Sequence, residues 1–152
     1  MRRLRAGAAG RSDARPRAAG ASTPLDPELV ASLHDLSGGT DDGRRAIQEL
    51  VASFLEHSQS RLDDLEAAAR EGDLIALREL AHSLAGSSAN LGAHLVGQGC
   101  RTVEGHARDG ALDEARAATA PLRDLLSEAA DALRAEFLDG SAPPPPSASP
   151  GR

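Results

Sequence analysis

A chain of 152 residues with 1% aromatic side chains and neither Trp nor Tyr is suited to one small helical domain and poorly suited to a sheet. Its net charge of −6 is uneven: residues 1–24 hold six arginines and one acid, residues 25–139 hold ten arginines and 22 acids, and Arg152 adds the last positive charge. An acidic folded part excludes nucleic acid as a partner; a lone cysteine, Cys100, excludes an internal disulfide and fits a reducing, cytoplasmic setting; and no apolar run reaches membrane-spanning length.

Residues 1–24 are Arg, Ala, Gly, Ser and Pro with almost no large apolar side chains, so they are expected to be a disordered basic arm. No apolar core follows Arg2-Arg3, which argues against an export signal. Leu25-Asp26-Pro27 opens the domain, with Asp26 placed to cap and Pro27 suited to the first helical position. A short helix to about Leu36 is predicted, ended by Ser37-Gly38-Gly39.

A second helix is predicted over residues 42–70, because Ile47, Leu50, Val51, Phe54, Leu55, Leu62, Leu65 and Ala69 recur at helical spacing. Gly72 ends it and Asp73 caps the third, residues 74–90, which carries His82. The fourth, residues 93–108, turns Val96, Cys100, Val103 and Ala107 inward. Gly97, Gly99 and Gly105 lower its helix propensity. The fifth starts near Asp113 with Ala115, Ala118, Leu122, Leu125, Ala129, Leu133 and Phe137 on one stripe, and Pro121 should kink or split it. Short connections between long helices favour antiparallel neighbours. The expected fold is therefore all-α: an up-down-up-down four-helix bundle over residues 25–139, with a short extra N-terminal helix across one end. Residues 140–152 are expected to form a disordered Pro-rich tail.

The third helix holds the most informative residues. Leu77, Leu80, Leu84 and Leu91 lie towards one side, with Ala81 and Ser88 between them, and His82 sits at the edge of that stripe. Its neighbours three, four and seven residues on are Ala85, Gly86 and Ala89. Glycine inside a helix costs about 1 kcal/mol relative to alanine. Close approach of another protein to the imidazole would justify Gly86.

His82, Leu84, Gly86, Ser87, Ser88, Leu91 and Gly92 stand at the spacing of a known motif. The stretch resembles the phosphoacceptor helix of histidine-containing phosphotransfer (HPt) domains, usually His-x-Leu-Lys-Gly-Ser-Ser followed by Leu-Gly. The resemblance covers roughly residues 25–138, including Leu95, Cys100 and Glu104 of the next helix. It implies a phosphorelay intermediate of two-component signalling. His82 would take a phosphoryl group from a receiver-domain aspartate and pass it to another receiver. The implied partners are receiver domains of response regulators or a hybrid histidine kinase. A docking module that binds a receiver without carrying phosphate is the alternative, because Ala85 stands where the family has lysine.

Neutral imidazole is a nucleophile, which suits it to phosphoryl carriage. The transfer itself needs in-line positioning and charge neutralisation, usually with magnesium. The chain has no P-loop, kinase Gly-rich loop or kinase catalytic-loop motif, so it is read as a carrier without ATP chemistry of its own. No cofactor or metal is expected on it, and magnesium is expected in the partner receiver. Arg78, one turn before His82, and Arg101 on the next helix are candidates to replace the missing lysine. Glu79 is a candidate hydrogen-bond partner of His82, and Ala85, Gly86, Ser87 and Ala89 are candidate partner contacts. Ser88 is assigned to packing. Glu79-Leu80-Ala81-His82 also has the Glu-x-x-His form of carboxylate-bridged di-iron bundles, but those need a second such motif and no other histidine has Glu three residues before it. Nothing in the sequence suggests self-association, so a monomer is expected.

Overall fold

The computed structural model describes residues 23–139; most of the expected basic arm and the Pro-rich tail lie outside them. Helix α1 spans Pro27–Leu36, and the Asp26 carboxylate accepts the Glu28 N–H, capping it as expected. Helix α2, Asp41–Glu71, has 31 residues and is about 46 Å long. Thr40 caps it by accepting the Gly43 N–H, and Gly72 ends it in the left-handed region at φ 77°. Helix α3, Leu74–Asn90, begins at Asp73, whose carboxylate accepts the Ala76 N–H. Helix α4 follows at His94–Arg108.

The predicted fifth helix is two. Pro121 has no N–H to donate and would clash with a preceding carbonyl, so the chain breaks into α5, Leu112–Thr119, and α6, Leu122–Leu133. A single π-helical turn, Arg134–Leu138, continues α6. The break also shifts the inward stripe. Thr119, Leu126 and Ala130 are buried, while Ala118 and Leu125 are only partly covered.

Among the described residues every regular element is helical, and α2, α3, α4 and the α5–α6 pair form the up-down-up-down bundle. Its core is aliphatic: Val51, Leu62, Leu65, Leu77, Leu84, Val103, Leu126 and Leu133 are fully removed from water. Each such side chain contributes roughly 1.5–3 kcal/mol of burial. Helices α3 and α4 share the broadest contact. A Cβ on Gly97 would stand 3.6 Å from the Ala85 carbonyl oxygen, and one on Gly99 only 2.7 Å from a Leu122 methyl. Two of the three glycines that lower the propensity of α4 thus sit where α3 and α6 pack against its backbone; Gly105 has no such neighbour.

Helix α1 closes one end of the bundle. The Asp26 N–H donates to the Gly92 carbonyl at 2.8 Å, tying α1 to the α3–α4 turn. His34 stacks on Phe137 with ring centroids 4.8 Å apart and meets the Glu136 carboxylate at 2.7 Å. Gln48 donates to the Phe137 carbonyl at 2.9 Å. Among the described residues no helix is long and apolar enough to cross a membrane.

Cys100 lies in this core with no solvent exposure. Burial pushes its thiol up to about 12, the nearby Arg101 charge opposing only in part. The sign for stability follows: the unfolded thiol ionises near its ordinary value while the buried one does not, so the unfolded state holds fewer protons and stability falls as pH rises from about 9 to about 12. The chain has no Lys or Tyr to titrate in that window. Alkaline denaturant titrations should therefore show declining stability in the wild type and a flatter profile in Cys100→Ala. Equal slopes would contradict the burial of the thiol. At pH 8 the native thiol should resist alkylating reagents that label it in urea.

Candidate functional site

The register of α3 decides what faces water. Leu77, Ala81, Leu84, Ala85 and Ser88 are buried on its inner side, and His82, 100° beyond Ala81, stands outside it. The His82 side chain is 76% exposed. Its Nδ1 lies 3.0 Å from Oε2 of Glu104, a largely covered residue of α4 with 21% side-chain exposure. A carboxylate only accepts, so the imidazole donates from Nδ1 and leaves its Nε2 lone pair free at the surface.

Glu104, and not Glu79, is thus the acidic partner. Glu79 is exposed one turn before His82, and no hydrogen bond joins the two. Ala85, expected as a partner contact on the face of His82, is buried, with 4% exposure. Three residues of helix carry it 60° short of a full turn from His82, to the side where α4 lies with Gly97 against its backbone. A partner protein cannot reach it.

Gly86 and Ala89 do remain exposed. Outside its own helix, no atom lies within 4 Å of where a Cβ on Gly86 would stand. The surface on the C-terminal side of the imidazole is therefore open and almost without side chains. Ser87 is half-buried and its hydroxyl donates back to the Ser83 and Leu84 carbonyls at 3.3 Å, which keeps it close to the helix. Ser88 is fully buried and its hydroxyl finds no partner among the described residues.

Arg78 and Arg101 are both exposed, and neither forms an ion pair or side-chain hydrogen bond among the described residues. Arg101 lies along α4, its guanidinium 3.5 Å from the position of a Gly97 Cβ. The cation that reaches α3 from a neighbouring helix is one without a sequence motif to mark it: Arg61 of α2 donates to the hydroxyl of Ser83, the residue after His82. Among the described residues no three His, Cys, Asp or Glu side chains gather as a metal site. The arrangement is a solvent-facing imidazole held by one carboxylate.

The family model of the Hpt domain matches residues 49–136, more than half of the chain and all of the site. Among solved structures, the chain is similar to histidine-containing phosphotransfer protein B (HptB) from Pseudomonas aeruginosa PAO1. The two are 32% identical with a TM-score of 0.66, over 76% of this chain and 96% of that one. Comparison with curated proteins returns no match. This chain belongs to the Hpt domain family, and its kinship supports a phosphotransfer role in two-component signalling, where HPt proteins interact with receiver domains.

Proposed function

We propose that this protein is a phosphorelay intermediate that carries a phosphoryl group on Nε2 of His82. The observation that carries this reading is the ring's geometry: Nδ1 held by Glu104, Nε2 free, and 76% of the side chain in solvent. In the step itself the Nε2 lone pair attacks the phosphorus of a receiver's aspartyl phosphate, and the P–O bond breaks with its electron pair returning to the aspartate carboxylate. Nδ1 keeps its proton, so the ring becomes cationic. The Glu104 carboxylate, already in contact, balances that charge. The reverse step delivers the group to a second receiver.

Nothing in this sequence supplies ATP chemistry, so the partner receiver brings the metal and the in-line positioning, and this chain brings the nucleophile. The open surface at Gly86 and Ala89 admits the partner. Incubation with a radiolabelled phosphoreceiver is expected to place acid-labile, alkali-stable label on the wild type and none on His82→Gln. Receiver binding without label would favour the docking-module reading; label persisting in His82→Gln would refute the assignment of the acceptor.

A further inference from the structure

We infer that Arg61 is the cation that holds the phosphoryl group on His82, an assignment resting on the relay reading above. A phosphoryl group carries a charge of about −2 near neutrality. It would arrive on a domain with 22 acids against ten arginines, beside a ring already facing the Glu104 carboxylate. A fixed positive charge is needed close by.

The two ring nitrogens of an imidazole point to opposite edges. Nδ1 of His82 points to α4, so a group on Nε2 lies on the edge of the ring away from α4. On the flank of α3 that faces α2, reached through Ser83 and not lined by His82 itself, a groove of about 300 Å³ runs between the two helices. Arg61, His57, Ser83, Ser87 and Asn90 are among the polar residues lining it, and none of its lining residues is Asp or Glu. In so acidic a domain, a groove lined only by cationic, neutral and apolar groups is suited to an anion.

Arg61 is the one arginine that hydrogen-bonds a side chain of α3 among the described residues. Arg44, Arg45, Arg116, Arg123 and Arg134 are each paired with a carboxylate; Arg61, like Arg70, Arg78, Arg101 and Arg108, has none among the described residues. One N–H of its planar fork is used on the Ser83 hydroxyl, which anchors the guanidinium beside the acceptor helix. The remaining donors are left for phosphoryl oxygens.

The test uses the full chain and a receiver domain loaded with radiolabelled phosphate. Arg61→Gln should slow transfer to His82 roughly a hundredfold, the lower end of the range for losing one charge-stabilising donor, and shorten the phosphohistidine lifetime. Arg61→Lys should restore most of the rate, and Ser83→Ala should give a smaller loss by freeing the anchor. Thermal melts matching the wild type would show that the exposed substitutions leave the bundle intact. Wild-type transfer in Arg61→Gln, with label still reaching His82, would overturn this assignment and leave the relay reading standing, as would a loss found only in Arg101→Ala. A wild-type chain that takes no label would bring down both.

Discussion

Replacing Gly86 with leucine is expected to abolish most phosphotransfer while leaving the bundle as stable as before, or slightly more so. The free protein offers no obstacle, since a Cβ at this position meets nothing within 4 Å outside its own helix. Leucine is also the better helix former, by about 0.7 kcal/mol. The cost falls on the complex. Gly86 is one turn from His82 on the same face, so a branched side chain there stands between the imidazole and any receiver. Displacement of reacting groups by about 1 Å costs on the order of a hundredfold in rate. Stopped label transfer from a phosphorylated receiver, with circular dichroism melts alongside, checks both halves. An unchanged rate would show that the partner approaches from elsewhere, and a lowered melting temperature would show that the glycine serves packing.

Leu84→Ala is expected to have the opposite signature. Leu84 is fully buried, two residues after His82, on the face of α3 that meets the core. Removing a buried leucine side chain costs about 3–4 kcal/mol, transfer energy and cavity together. That is a large share of the stability of a domain this size, typically about 5–15 kcal/mol. Urea unfolding should show the midpoint lowered with an unchanged slope. The imidazole remains at the surface, so the folded fraction should still accept phosphate well below the transition. A loss under about 1 kcal/mol would mean that the α3–α4 seam closes over the gap.

The helix order and the exposed position of His82 were legible in the sequence because both depend on local spacing. Asp26, Gly72 and Asp73 mark ends and starts through their own backbone and side-chain chemistry, and the apolar period of α2 needs no partner to be seen. The two residues that reach this part of α3 from neighbouring helices, Glu104 and Arg61, were harder to assign, although a signal existed. His82 and Glu104 are each eleven residues from Ala93 in the α3–α4 turn, and Arg61 and Ser83 are each eleven from Gly72 in the α2–α3 turn. In antiparallel hairpins, residues equidistant from the turn come level. Glu79 drew attention by being near in sequence, but α4 supplies the nearer carboxylate in space.

Sequence alone determined that this is a helical bundle of the Hpt family with one histidine on an uncluttered face, since periodicity, caps and motif spacing are properties of single helices. Tertiary packing decided which neighbours of that histidine matter. The side of α3 that α4 covers buries Ala85 and brings in Glu104, and the side that α2 approaches brings in Arg61. A helix read by itself shows which residues share a face; only the contact with its neighbours determines which faces are left to water.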